Sequence, residues 1–332
     1  MYGYSVFHEK IMKMLINNVH NNACSHAYIF DGMKGLHKHE AGLLFAQALT
    51  CLNPSAAPCG ACSSCIEAKA KTNPDIRHIV RETVNGKPKK FLGIDPIRDA
   101  VADSQIKPFN SPKKVYIIDE GELMNAEAQN AFLKTLEEPP EYAVFIIVTD
   151  NAASLLPTVL SRSTLIYFQP VNYFETEKYL SEKYPDIKDN LSFYIKYCEG
   201  IPGEADRIIG DERFEGLRNE CLNKLSLILS DNMIDAFEVQ KFVSDNSDDA
   251  QTIFNLWLSF LRDIMVIKCQ AFDNVVNGDK ISEIRQMAAK YDMKLIAYAI
   301  DMTVKTQNMM SKSVKLSARA LRYALFIKKT SK

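Results

Sequence analysis

Continuous apolar runs alternate with amphipathic stretches over the first half of the chain and then give out. The runs are Ala27-Tyr28-Ile29-Phe30, Val115-Tyr116-Ile117-Ile118, Ala143-Val144-Phe145-Ile146-Ile147-Val148 and Thr164-Leu165-Ile166-Tyr167-Phe168. Runs of this length without polar alternation suit strands buried on both faces of a parallel sheet. Helical stretches between them, such as the one through Leu43-Leu44-Phe45, predict an α/β layer structure. After Gln169-Pro170 the strand signals stop. Phe174 to Tyr184, Asn190 to Tyr197 and Glu204 to Ile209 read as three short helices, broken at Pro185 and at Gly200-Ile201-Pro202-Gly203. From about Asp211 the pattern is helical to the end. Ile253, Leu256, Trp257, Phe260, Leu261 and Ile264 recur at helix spacing, as do Leu316, Ala320, Tyr323, Ala324 and Ile327. Such stripes fit core and subunit contact better than a cofactor pocket. Three domains are therefore expected: α/β over residues 1–168, small and helical over 169–210, and all-α over 211–332.

Charge narrows the function classes. Lys+Arg 40 against Asp+Glu 41 gives a formal net charge of −1, whereas a protein holding DNA by its own phosphate contacts usually carries a basic excess. The small basic clusters at Lys87, Lys89 and Lys90 and at Lys113 and Lys114 read as solvated surface. No run approaches the roughly 18 apolar residues of a membrane helix. The opening MYGYSVFHEKIMKML lacks the parts of a leader peptide, so the expected location is the cytosol. Thiols stay reduced there, and the eight cysteines point to metal or burial rather than to disulfides.

Half of those cysteines fall within fifteen positions. Cys51, Cys59, Cys62 and Cys65 are spaced C-x7-C-x2-C-x2-C, with Pro54, Pro58 and Gly60 between them for tight turns. Four thiolates at this spacing can surround one tetrahedral Zn²⁺, and four sulfur ligands leave no open position for water. The expected zinc is structural.

The turn after the first apolar run, Gly32-Met33-Lys34-Gly35-Leu36-His37-Lys38-His39, occupies the place of a phosphate-binding G-x-x-x-x-G-K-S/T loop. Gly32 and Lys38 match. His37 replaces the second motif glycine, and His39 replaces the hydroxyl that binds Mg²⁺, a hard ion that prefers oxygen. The run through Ile118 ends in Asp119-Glu120, the arrangement in which an Asp serves Mg²⁺ and a Glu orients the attacking water. Gly32, Gly35, Lys38, Asp119 and Glu120 thus read as the remnant of a nucleotide site.

The segment Asn130-Ala131-Phe132-Leu133-Lys134-Thr135-Leu136-Glu137-Glu138-Pro139-Pro140 resembles the N-A-L-L-K-T-L-E-E-P-P segment of bacterial DNA polymerase III clamp-loader subunits, an AAA+ family. Leu155-Leu156-Pro157-Thr158-Val159-Leu160-Ser161-Arg162-Ser163 is similar to its L-L-P-T-I/V-x-S-R-C segment, with Ser163 in place of Cys. Ser25-His26-Ala27-Tyr28-Ile29-Phe30 is similar to its S-H-A-Y-L-F opening, Gly93-Ile94-Asp95-Pro96-Ile97-Arg98 to its G-I-D-x-I-R, and the cysteine cluster to its zinc knuckle. The resemblance covers residues 1 to about 210 in detail.

Within that family, motor (gamma/tau) subunits keep a complete phosphate loop and an arginine in a G-x-x-R segment. Here the segment is Gly200-Ile201-Pro202-Gly203. These departures place the chain with the delta-prime type. The resemblance then implies an AAA+ α/β domain with zinc module, a helical lid and a helical collar, in a chain that does not itself hydrolyse ATP/Mg²⁺. It implies partnership with gamma/tau and delta subunits, and indirectly with the sliding clamp and primer-template DNA. Arg162 would be an arginine finger for a neighbour's ATP. Two other readings stay open: a divergent motor ATPase using Lys38, Asp119 and Glu120, and an AAA+-like regulatory module outside replication.

Overall fold

In the computed structural model, which describes residues 8–84, 86–188, 190–309 and 316–330, three of the four apolar runs form the centre of a parallel sheet, while the run from Thr164 lies at its edge with Thr164 and Tyr167 exposed rather than buried on both faces. The first seven residues of the N-terminal stretch read above for a leader, and the Lys87 side chain, lie outside the described residues. The strands are β1 (Ala27–Asp31), β2 (Ile76–Ile79), the antiparallel pair β3 (Thr83–Val84) and β4 (Lys87–Pro88), β5 (Lys114–Ile118), β6 (Ala143–Thr149) and β7 (Thr164–Tyr167). Five pair in parallel in the order β2-β5-β6-β1-β7. The register sets Ala27 beside Phe145, Tyr28 beside Thr164, Lys114 beside Ala143 and His78 beside Ile117.

The described chain divides into two compact units, Met1–Tyr179 with Gly200–Glu204, and Leu180–Glu199 with Ala205–Lys332. The first holds α1 (Glu9–His20), α2 (Lys38–Leu49), α3 (Ser63–Lys69), α4 (Ile94–Ser104), α5 (Ala126–Glu137) and α6 (Pro157–Leu160). Its strands alternate between two cores. Ile29, Tyr116, Ile118, Phe145 and Ile147 pack with Ile97, Phe132 and Leu136 on one face. Tyr28, Phe30, Val115, Ile117 and Ile146 pack with Leu15, Leu44 and Phe45 on the other. Burial on both faces is why these strands show no polar alternation. This is the α/β parallel-sheet class expected from the sequence.

α7 (Tyr173–Lys183), α8 (Leu191–Tyr197) and α9 (Pro202–Ile209) follow where the strands end. The second unit is built chiefly from α10 (Phe214–Leu229), α11 (Asp235–Asp245), α12 (Ala250–Lys268), α13 (Ile281–Lys290), α14 (Met293–Met309) and α15 (Leu316–Thr330). The two apolar stripes supply its core. Trp257 is fully buried, stacks on Tyr323 at 5.7 Å, and donates its indole N–H to the Cys221 carbonyl at 3.0 Å. Among the described residues no helix is long and apolar enough to cross a membrane.

One surface reading is overturned. Lys114 is buried rather than solvated, its ammonium 2.9 Å from Asp103, which also accepts from the Tyr116 hydroxyl at 2.8 Å. A lysine at the first position of a central strand can keep its charge only with such a partner.

Candidate functional site

Cys51 leaves the end of α2, and Cys62 and Cys65 frame the start of α3. Side-chain bonds fix the two helices against each other: Gln47 Nε2 donates to the Cys65 carbonyl at 2.9 Å and Ser64 Oγ to the Thr50 carbonyl at 2.7 Å. The Ala57 carbonyl in the connecting loop is held by His20 Nε2 at 2.8 Å. All four sulfurs lie within 4.8 Å of one another. The pairs Cys51–Cys62 and Cys59–Cys65 stand at 3.9 and 4.0 Å, close to the about 3.8 Å edge of a tetrahedron with Zn–S bonds of about 2.3 Å. Backbone N–H groups of Asn53 and Cys59 point at Cys51 Sγ, that of Cys62 at Cys59 Sγ and that of Cys65 at Cys62 Sγ, at 3.4 to 3.5 Å. Such donors favour thiolate. The Ala61 and Cys62 backbone N–H groups bring the Cys59 thiol down to about 6, while burial pushes Cys51 and Cys65 up. The cluster can hold a metal ion, and its donors and spacing fit zinc.

The loop after β1 binds its own lysine. A Cβ on Gly32 would lie 2.4 Å from the Phe168 carbonyl, so only glycine fits there. His37 adopts the left-handed conformation (φ 54°, ψ 33°) that a glycine would take more easily, just before α2. Its added Cβ therefore leaves the turn in place, and its ring packs edge-on against Tyr179 at 5.7 Å. Lys38 is 4% exposed. Its ammonium donates to the Gly32 and Met33 carbonyls at 2.5 and 2.8 Å and to Asp150 Oδ1 at 2.8 Å. The cation that would meet a phosphate is spent on its own loop. Gly35 meets Gly203 backbone to backbone: Gly203 N–H donates to the Gly35 carbonyl at 2.9 Å, and a Cβ on Gly203 would lie 2.8 Å from Gly35 Cα and O. Where motor subunits carry an arginine, this chain has no room for a side chain.

The two carboxylates after β5 part company. Asp119 Oδ1 lies 2.8 Å from His39 Nδ1, a hydrogen bond that raises the His39 pKa. Glu120, in the left-handed region at φ 52°, is held by Arg81 through Nε at 2.6 Å and Nη2 at 2.8 Å. Lys38 and Asp119 are not paired with each other. Arg162, between α6 and β7, is 34% exposed at its side chain; Nη2 stands 2.7 Å from Glu137 Oε1 and Nη1 donates to the Thr158 carbonyl at 3.1 Å. No motif in the sequence marks Asp150, Arg81 or His78. His78 is exposed on β2, 5.7 Å ring to ring from His39, and the only trace it leaves in the sequence is a histidine in a short polar-apolar stretch.

The family profile described as DNA polymerase III, delta subunit, matches residues 7–172, half of the chain, and the profile for the C-terminal part of the DNA polymerase III delta subunit matches residues 213–316. The chain belongs to the DNA polymerase III delta-subunit family. This family member is 28% identical over 284 residues to the DNA polymerase III subunit delta' of Bacillus subtilis, covering 84% of this chain and 83% of that one. It is 36% identical over 164 residues to the Bacillus subtilis DNA polymerase III subunit tau, covering 49% of this chain and 28% of that longer one. A gamma subunit-related protein of Thermotoga maritima superposes with a TM-score of 0.47 at 18% identity, over 97% of this chain and 99% of that one.

Proposed function

We infer that this chain is the delta-prime-type subunit of the DNA polymerase III clamp loader, acting with gamma/tau and delta subunits to place the sliding clamp on primed DNA. The observation that carries this reading is likeness to a delta' subunit over 84% of this chain and 83% of that one, where likeness to the tau subunit covers 49% of this chain and 28% of that one. The chain does not turn over ATP. Lys38 is bonded to its own loop, Glu120 is occupied by Arg81, and Gly203 leaves no space for an arginine. Zinc on Cys51, Cys59, Cys62 and Cys65 is structural, tying the end of α2 to the start of α3.

Arg162 acts in trans. It leaves Glu137 to reach the γ-phosphate in a neighbouring motor subunit, where an arginine finger stabilises transition-state charge. Residues 169–210 serve as the helical lid domain and 211–332 as the collar through which the subunits join. The near-neutral charge suits a chain in which DNA is held by the whole assembly, in the cytosol. The test is reconstitution with purified gamma/tau and delta subunits. Stable co-elution and clamp loading that depends on this chain are expected; a complex that forms and loads clamps equally well without it overturns the reading. Likeness to tau over 49% of the chain favours one rival, a divergent motor ATPase, which sustained phosphate release by the isolated chain would support.

A further inference from the structure

At the carboxyl ends of β2 and β5 a second group of side chains converges, 80 positions apart in sequence between His39 and Asp119. One ligand-capable atom from each of His39, His78 and Asp119 lies within 4.8 Å of the other two. We propose that these three residues form a second metal site, which takes a borderline divalent transition-metal cation such as Zn²⁺ in preference to Mg²⁺.

Three features argue for it. The donor set is two imidazoles and one carboxylate, which suits zinc and its neighbours and leaves a position open for water. His39 stands where a phosphate loop offers Mg²⁺ a hydroxyl, so the substitution that spoils the site for a hard ion improves it for a softer one. His78 is exposed and makes no hydrogen bond among the described residues, so its ring can turn onto an ion without breaking anything. The 2.8 Å between His39 Nδ1 and Asp119 Oδ1 is a hydrogen bond, and the pair would part by about 0.6 Å to reach the about 3.4 Å between two ligands on a tetrahedral zinc with bonds of about 2.1 Å. On binding, the metal replaces the proton shared by that pair, and the proton leaves to solvent. Competing charges are turned aside: Glu120 is held by Arg81 and Lys38 by Asp150. Of the other charged groups near His39, Glu40 and Lys71 have opposite signs.

The proposal does not depend on the clamp-loader reading, because it concerns the folded chain alone. Equilibrium dialysis of the full-length protein, its cysteine cluster already loaded with zinc, against micromolar free Zn²⁺ tests it by metal count per chain. The wild type is expected to hold a second zinc that excess MgCl₂ does not displace. His78→Ala, an exposed change that leaves the fold intact by circular dichroism, should weaken this second zinc at least about tenfold, the scale lost when even an outer partner of a metal is removed. His39→Ala with His78→Ala should abolish it while the cysteine-bound zinc remains. A wild-type count of one, displacement by Mg²⁺, or a second zinc undiminished in the double variant overturns the proposal; in the first case the His39–Asp119 ion pair itself is what fills the old Mg²⁺ position.

Discussion

The guanidinium of Arg218 is fully buried: it lies 3.6 Å from the centre of the Phe193 ring and bonds Asp279 at 2.6 and 3.0 Å and Asn277 at 3.0 Å. Every direction is answered, so the charge is structural. Arg218→Ala leaves Asp279 and Asn277 without their donor; since Asp279 is partly solvated, the expected cost is about 3 kcal/mol, the lower end for breaking a buried pair, read as a lower urea midpoint. Arg162 is different. It is part-exposed and rests on a single carboxylate, Glu137, an interaction worth little to stability at a surface. Arg162→Ala should therefore fold, keep its zinc and assemble, while ATP hydrolysis at one adjoining site falls by about 10³-fold or more. Arg162→Lys should rescue poorly, because an ammonium lacks the planar fork. Single-turnover hydrolysis in the reconstituted complex is the measurement, and an unchanged clamp-loading rate would return Arg162 to an intramolecular ion pair.

The knuckle between α2 and α3 has too few apolar residues to hold itself: its own cluster is Ala48, Cys51, Ala57 and Cys65 with a few half-buried neighbours. Cross-linking by a metal on the four thiolates would close it. Cys62→Ser with Cys65→Ser should lose the chelator-resistant zinc by elemental analysis and lower the apparent Tm by several degrees, about 1 kcal/mol being worth about 2–4 °C in a unit of this size; full retention of that zinc in the double variant refutes the ligand set. Legibility at this scale followed burial. β1, β5 and β6 were readable because both faces are apolar, and the cysteine spacing announced its own cluster. β2 was not, since Arg77 and His78 are exposed on an edge strand and only Ile76 and Ile79 carry the signal. His78 went unseen with it. Lys38 was found as a motif residue, but its bond to Asp150, 112 positions away, could come only from the fold. Gly203 was legible as a missing arginine; that it presses on Gly35 was not.

At the scale of the whole molecule, the expectation is an assembly part rather than a motor. The isolated chain should release no phosphate from Mg-ATP above background, and His37→Gly with His39→Thr should not restore turnover, because Lys38, Arg81–Glu120 and the Gly35–Gly203 contact are all untouched. A wild-type rate equal to that of a gamma/tau subunit would reassign the chain. The placement of Lys38 has a thermodynamic consequence as well. An open phosphate loop gains its hydrogen bonds when a ligand arrives, whereas this one already has an internal ligand, its own ammonium seated on two carbonyls and a carboxylate. For Lys38 to serve an anion would be an exchange reaction: its ammonium can offer the incoming oxygens only what the Gly32 and Met33 carbonyls and Asp150 give up. The free energy that this lysine can lend to a guest is the difference between two sets of bonds, and so far smaller than that of an unengaged ammonium.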